Sequence, residues 1–451
     1  MNLAALLAAR EAQGKPVRVA LIGAGKFGTM ILAQLRLMRG VRLAALADLD
    51  GRRAREAAAR AGWPASSLAE AATSGAANDL ARAGMTAIVP SGDVAIACDV
   101  DVVVEATGHQ EAGARHAYDA IEAGRHVIMV TVEADVVVGP YLADFARRRG
   151  VIYSLAYGDQ PAIICELVDW ARTCGLRVVA AGKGTKYLPA YRRSTPQTAL
   201  ELYGFTPEQV AAGDFNPKMF NSFLDGTKSA IEMAAVANAA GLLPDGGGLR
   251  FPPCAADDLP TLLRPVGEGG ILREEGCVEV VSCLDERGEF VPGHVRWGVF
   301  VVFTSDDPYA VRCFTEYGLA TDPSGRYGVL YRPYHLIGLE LGISIASVAC
   351  RGEATGAPTG APQAEVVCAT RRAMRAGEII DGEGGYAAYG LVLRAEDARA
   401  RRLLPLGLAT GLALVRDLPE DHPISVDDVA PPQASFLHDL RARQDALFAA
   451  V

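Results

Sequence analysis

No stretch of the 451-residue chain approaches the ~20 uninterrupted apolar residues that a membrane-spanning helix requires, which argues against an integral membrane protein. The nine cysteines are scattered without a C-x-x-C pair or regular spacing. Reduced thiols in the cytoplasm are the simplest reading of that pattern. Six of the seven histidines, all but His335, show no spacing suggestive of a metal site, so no metal ligand is named and a divalent-metal requirement is left open. Positive charge is also short: 44 basic against 53 acidic residues leave a formal net charge of −9, which argues against a general nucleic-acid binder. The local runs Arg147–Arg148–Arg149 and Arg401–Arg402 read as solvated helix faces. Residues 1–14 carry Leu3, Leu6 and Leu7 at helical spacing with Glu11 among them, and lack the apolar core and cleavage site of a secretion signal. No internal repeat is evident.

What is present begins with residues 17–28, VRVALIGAGKFG. Val17, Val19, Leu21 and Ile22 suit a strand buried on both faces, and Met30, Ile31, Gln34, Leu35 and Met38 recur at helical spacing. Between strand and helix stands Gly23-Ala24-Gly25-Lys26-Phe27-Gly28. Gly23 can make the tight turn, Gly25 lets the backbone approach a pyrophosphate, and Gly28 lets helix and strand pack closely. A second strand, VRLAALAD, ends in Asp48, where a dinucleotide fingerprint wants an acid for the ribose hydroxyls. Arg52 and Arg53 stand close enough in sequence to neutralise a 2′-phosphate, so both NAD and NADP are expected cofactors.

Further strands and helices alternate as far as about residue 160. DVDVVVEATG, residues 99–108, is a valine-rich strand whose end, Thr107–Gly108, falls at the carboxyl edge where doubly wound sheets bind ligands. Helices are expected over Arg52–Ala61, Ala112–Ala123 and Tyr141–Arg149, with strands at TAIVP, HVIMVT and VIYSLA. The fold class is therefore α/β, a Rossmann-type doubly wound parallel sheet over residues 1–160. A second, α+β substrate and dimerisation domain follows over 161–350, with a segment near 325–350 returning to the first. Within it, LRVVAAGKGTKY reads as a strand ending in a loop with Lys183 and Lys186. YRRSTPQTALELYGFTPEQVAAGDFNPK reads as an exposed connection or lid, and FNSFLDGTKSAIEMAAVANAAGL as one strong helix. Residues 244–293 read as loops or short strands, and HVRWGVFVVFTS as an antiparallel strand. RGEATGAPTGAPQ, 351–363, is a linker, and 364–451 a small β-rich module with a C-terminal helix.

Hydride transfer to a carbonyl needs a proton donor and electrostatic cover for the developing alkoxide, and a lysine can supply both. Lys228, with Asp225 before it and Glu232 one turn after, is the first candidate; a surface ion-pair triplet on an amphipathic helix fits the same spacing. Lys183 and Lys186 could meet a phosphate or carboxylate, or could simply be solvated. His335, flanked by Arg332, Tyr334 and Glu340, fits either a catalytic role or a hydrogen-bonded position at a domain junction.

The succession GAGKFG, DVVVEATG, VTVEAD, YGDQP, GKGTKY and LDGTK over residues 17–240 resembles the homoserine dehydrogenase family. AGEII, LPLGLATG and VRDLPEDHPISVDDV in the carboxy-terminal module resemble an SAF domain. Together they are similar to a group that includes deoxyxylulose-phosphate reductoisomerase-like enzymes. The resemblance implies an NAD(P)-dependent cytoplasmic oxidoreductase, a homodimer or other homo-oligomer, acting on a small molecule and placed in isoprenoid biosynthesis. It also marks departures. The family's T-A-N-K lysine is absent from Thr131-Val132-Glu133-Ala134, and its N-G-T-x-N-Y loop is here Gly182-Lys183-Gly184-Thr185-Lys186-Tyr187. Its second catalytic lysine best matches Lys228 after Asp225. The two added cations favour a phosphorylated or carboxylated substrate over homoserine itself. A sugar-phosphate-like ketone or aldehyde is the first candidate, and an amino-acid-derived aldehyde such as aspartate semialdehyde the second. The missing lysine leaves open a nucleotide-sensing protein that kept the fold and lost the chemistry.

Overall fold

The computed structural model describes residues 2–212 and 215–449. Met1, Gly213, Asp214, Ala450 and Val451 lie outside them, so the expected connection is described except at Gly213 and Asp214. The chain divides into two compact units. Met1–Ile163, Leu336–Ala361 and Ser435–Val451 form the first; Ile164–His335 and Pro362–Ala434 form the second.

Seven short apolar runs build the sheet of the first unit: β1 Val17–Ile22, β2 Val41–Ala47, β3 Leu68–Glu70, β4 Thr86–Val89, β5 Val102–Glu105, β6 His126–Met129 and β7 Tyr153–Leu155. All pair in parallel, in the order β3-β4-β2-β1-β5-β6-β7. Runs of this kind have no polar face because helices cover both sides of the sheet. Val19, Leu21, Leu46, Val104 and Ile128 pack with Ile31 and Leu32 of helix Lys26–Leu35 and with Ala54, Ala57 and Ala58 of helix Gly51–Arg60. The chain leaves β1 toward β2 on one side and returns as β5 on the other. The carboxyl ends of β1 and β5 therefore form the switch point where such sheets take ligands.

One helix in this unit is longer than its sequence suggests. It begins at Val132, not Tyr141, and runs to Arg149 through Pro140. Residues 134–140 are buried, so no apolar stripe betrays a helix, and the valines mimic a strand. Proline disturbs the helical ladder. Here Gln444 of the last helix, Phe436–Leu447, repairs the neighbouring step: its amide accepts from Tyr141 N at 3.1 Å and donates to Val137 O at 3.1 Å. This last helix, expected in the carboxy-terminal module, thus belongs to the first unit.

The second unit has a five-stranded sheet of β8 Arg177–Thr185, β9 Leu243–Pro244, β10 Cys277–Ser282, β11 Val299–Thr304 and β12 Gly328–Arg332, ordered β12-β11-β8-β10-β9. β8 runs parallel to β10 and antiparallel to β11. Its glycines are steric requirements: a Cβ on Gly182 would lie 1.7 Å from Glu279 O, and one on Gly184 1.9 Å from Val295 O. A hairpin, β13 Ala364–Thr370 and β14 Ala388–Arg394, completes the unit.

Two expectations are corrected here. The segment 189–212 is helical rather than an open connection, with Pro196–Tyr203 and Pro207–Ala212 as its α-helices. Phe205, Phe215, Phe220 and Phe223 form an aromatic cluster with Tyr191 and Tyr203, which supplies this segment with its own core. The single helix expected over 220–242 is two, Pro217–Leu224 and Thr227–Ala240, broken where Gly226 takes φ 91°. Among residues 244–293, β10 is a fully buried inner strand, next to β8.

The second of those helices is buried on all sides because the hairpin packs on it opposite the sheet. Asn238 Oδ1 accepts from Gln363 N at 2.8 Å and Ala364 N at 3.0 Å, and Thr227 Oγ1 accepts from Gly390 N at 2.8 Å. Residues 364–434 are therefore an integral part of the second unit. Among the described residues, no helix is long and apolar enough to cross a membrane.

Candidate functional site

The glycine turn of the first unit sits at the switch point. Ile22 stands opposite Ala47 of β2 and Glu105 of β5, which brings Gly23, Asp48 and Ala106 level at the carboxyl edge. Gly23 has φ 105°, and a Cβ there would lie 2.5 Å from Ala106 O. A Cβ on Gly28 would lie 2.1 Å from Gly23 O, so helix and turn close only on glycine. Gly25 differs: apart from its own chain neighbours, the atom of the described residues that its absent Cβ would meet within 4 Å is a guanidinium nitrogen of Arg53 at 3.3 Å. Gly25 also caps the helix beginning at Lys26 and Phe27 without a side-chain bond. Uncapped first-turn amides at a helix N-terminus favour an anion, and a pyrophosphate fits this cradle.

Asp48 has protein partners of its own. One oxygen accepts from Ala24 N at 2.9 Å and the other from Asp50 N at 3.0 Å, so the carboxylate braces the turn. Across the switch point, Thr107 is exposed and Gly108 N donates to Thr131 Oγ1 at 3.0 Å. Glu105, not singled out in the sequence, lies buried beneath them. Its Oε1 accepts from Thr107 N at 3.2 Å and from the Thr107 hydroxyl, and lies 3.4 Å from His116 Nδ1. A lone acid inside a valine run was its signal.

Deeper in this unit, Asp135 is fully buried. Burial pushes its carboxyl up to about 7, opposed by the Tyr153 hydroxyl that donates to Oδ1 at 2.8 Å.

In the second unit the candidate residues separate. Lys183 is not in a loop but within β8, facing away from the side that Gly182 and Gly184 keep clear, and it is buried against Glu232 in an ion pair. Glu232 lies one turn after Lys228 on helix Thr227–Ala240, so positions 228 and 232 share a face. Lys228 is half-buried in the first turn. Asp225 leaves this group: it is buried against the Arg371 guanidinium and accepts from Thr227 N at 2.8 Å. Burial raises its carboxyl while Arg371 and Thr227 oppose that shift. Arg371 also donates to the carbonyls of Arg192, Ser194 and Ala388, which makes Asp225 a fastening for the hairpin rather than a partner for Lys228. The expected surface triplet is thus absent, because Asp225 and Glu232 each turn inward to a different cation. Nothing in the sequence pairs Arg371 with Asp225 across 146 positions.

Lys186 Nζ donates to Leu202 O at 2.6 Å and Tyr203 O at 3.2 Å, at the end of helix Pro196–Tyr203. His335 Nδ1 lies 2.9 Å from Trp297 O, an acceptor, so that nitrogen carries the proton. Asp245, Glu274 and Cys277 have the spacing of metal ligands. They are already engaged: Asp245 by Arg250 and Arg273 N, Glu274 by Arg394, and the Cys277 thiol by Glu274 O, with burial pushing that thiol up to about 12.

A parallel Rossmann-type sheet with an uncapped glycine turn at its switch point defines a dinucleotide-binding fold for the first unit. Two family models match successive parts of the chain. Residues 23–155 match the homoserine dehydrogenase NAD-binding domain, and residues 158–341 match the catalytic domain of oxidoreductase DRL. No curated protein matches the chain. Among solved structures, scyllo-inositol dehydrogenase from Lactobacillus casei with NAD(H) and scyllo-inositol is 11% identical over 70% of this chain and 76% of that one, with a TM-score of 0.35. A probable dehydrogenase from Thermotoga maritima is 13% identical over 75% and 90%, with a TM-score of 0.36. The chain spans about half the length of others, covering 50% of GenD2 from gentamicin A biosynthesis in complex with NAD, at 23% identity, 42% of this chain and a TM-score of 0.28.

Proposed function

We propose that the chain transfers hydride between a nicotinamide cofactor held by the first unit and a small, anionic hydroxy or carbonyl compound handled by the second. A sugar-phosphate-like ketone or aldehyde, as in the deoxyxylulose-phosphate reductoisomerase-like group, fits best. The observation that carries this reading is the buried Lys183–Glu232 pair with Lys228 one turn away. Burying an ion pair is expensive, and breaking one leaves an uncompensated charge. Its position beside a half-buried lysine supports a chemical use.

In this reading the backbone from Gly23 to Gly28 holds the pyrophosphate. Asp48, whose oxygens each keep a lone pair, takes the ribose, and Thr107 and Gly108 line the edge. When bound, the nicotinamide supplies or accepts the hydride. Lys228 donates the proton to the developing alkoxide in reduction and removes it in oxidation. Glu232, one turn from Lys228 on the same helix, is ion-paired with Lys183. Residues 364–434 correspond to the SAF-like module of the resemblance.

The test is consumption of each reduced cofactor by the purified protein with deoxyxylulose phosphate and with aspartate semialdehyde. Turnover with the phosphorylated ketone is expected. Failure with both, together with intact cofactor binding, would return the chain to a nucleotide-sensing role. Gly25→Val should weaken cofactor binding by ~100-fold or more while leaving thermal stability nearly unchanged, since only the Arg53 side chain must move.

A further inference from the structure

Three buried or half-buried arginines in the second unit are matched with acids: Arg371 with Asp225, Arg250 with Asp245 and Glu279, and Arg264 with Asp322. Arg192 lies over the Tyr389 ring instead, and two further cations stand outside this pattern as a neighbouring pair. Lys186 follows β8 and Arg296 precedes β11. Lys183 stands opposite Val299, so these two flanks emerge at the same edge of the sheet. Among the described residues, neither side chain has a carboxylate oxygen within 4 Å.

Arg296 is held by rings instead. Its guanidinium carbon lies 4.7 Å from the Trp297 centroid, 5.2 Å from that of Tyr203 and 5.8 Å from that of Phe290. Aromatic faces stabilise a cation without neutralising its net charge. Lys186 is fixed by the two carbonyls at the end of helix Pro196–Tyr203, which leaves one of its three N–H groups uncommitted. Burial first, and the Arg296 charge second, hold the Lys186 ammonium below its usual value. Cys283 lies beside both, and burial pushes its thiol up to about 11, so it supplies no thiolate. The neighbouring carboxylate whose field reaches Tyr203 is Glu232, already committed to Lys183.

Two like charges in half-buried surroundings repel, and the repulsion is stronger than in water because the local dielectric is lower. The arrangement becomes favourable when an anion from outside joins it, with a planar guanidinium fork and an ammonium to meet two oxygens. Lys183, grouped with Lys186 on sequence grounds, takes no part, being occupied by Glu232.

We infer that Arg296 and Lys186 form an oxyanion subsite that holds the charged head group of the substrate, beside the Lys183–Glu232 pair. Arg296 is the specificity-determining member, since its guanidinium is fixed by rings and its charge is unopposed. This inference rests on the hydride-transfer reading for the identity of the substrate, but the subsite is testable without turnover.

The experiment is a titration of the full-length protein with inorganic phosphate, and separately with acetate, at constant ionic strength. Tryptophan fluorescence reports binding, because the exposed Trp297 ring lies against Arg296. A saturable change is expected that chloride does not reproduce. The stronger of the two anions identifies the head group as phosphate or carboxylate, and either supports the subsite. Arg296→Gln and Lys186→Gln should each raise the dissociation constant at least ~10-fold, with Arg296→Lys intermediate. Gly25→Val should leave the change intact. Identical titrations for wild type, Arg296→Gln and Lys186→Gln would overturn the proposal. So would loss of the response in Gly25→Val, which would place the anion at the glycine turn. Should a glutamine variant fail to fold, Arg296→Lys carries the same test. Cofactor titration of the same proteins separates the two readings: normal cofactor binding with unaffected phosphate binding in the variants sinks the subsite alone, whereas no cofactor binding by the wild type sinks the hydride-transfer reading alone.

Discussion

The two units solve the problem of holding charge in opposite ways. The first uses backbone: uncapped amides after Gly25, a turn that closes only on Gly23 and Gly28, and a carboxylate, Asp48, that braces the loop. The second uses long side chains drawn together from distant parts of the chain, Lys183 with Glu232 and Asp225 with Arg371. A backbone site is rigid because its hydrogen bonds belong to the sheet and helix that form it. A side-chain site is costly to bury, and each member depends on its partner remaining in place. Substitutions in the first unit should therefore change ligand binding with little effect on folding, and those in the second should disturb both, unless the residue meets only the reacting atoms.

Lys228 tests that exception and carries the largest expected effect. If it delivers the proton, Lys228→Met lowers kcat by about 10²–10⁴-fold and leaves cofactor affinity unchanged. Near-normal turnover would shift attention to His335. Lys183→Met should behave as a side-chain network predicts: it strands Glu232 and destabilises the protein by about 3–5 kcal/mol, read from denaturant unfolding. Adding Glu232→Leu should recover much of that loss, and failure to recover would mean that the stranded carboxylate is not what destabilises the single variant. The exception within the first unit is Asp135. Burial pushes its carboxyl up to about 7 in the folded protein, against an ordinary value near 3.8. The raised value means the unfolded chain ionises first as pH rises. The stabilising contribution of the protonated form is complete below about pH 4 and is lost by about pH 7, a change of roughly 4 kcal/mol. Asp135→Asn should flatten the fall in melting temperature over that window, and an unchanged slope would remove Asp135 as its source. Smallest is Asp48→Ala, expected to shift the ratio of NAD to NADP dissociation constants about tenfold toward NADP, measured by fluorescence titration.

The parallel sheet and its glycine turn were legible because each rests on local signals. β1, the turn and helix Lys26–Leu35 are contiguous, and the roles of Gly23 and Gly28 follow from their spacing. The helix Val132–Arg149 was half hidden, since burial on all sides erases the periodicity that marks a helix. The aromatic helices of 189–212 were missed for another reason: their core is the cluster of Phe205, Phe215, Phe220 and Phe223, and polar residues between those rings gave the segment the look of a loop.

By itself, the sequence determined the class of the first unit, the kind of cofactor it takes, and the residue types available for chemistry, because periodicity and turn chemistry act over a few positions. Tertiary structure alone decided which cation meets which acid. Lys183 and Glu232 are 49 positions apart and Asp225 and Arg371 are 146 apart, and an ion pair leaves no imprint on the intervening sequence. Only the folded second unit, with its hairpin against helix Thr227–Ala240, turns Asp225 inward to Arg371 and leaves Lys186 and Arg296 without an acid, since partner choice among buried charges is set by distance and desolvation.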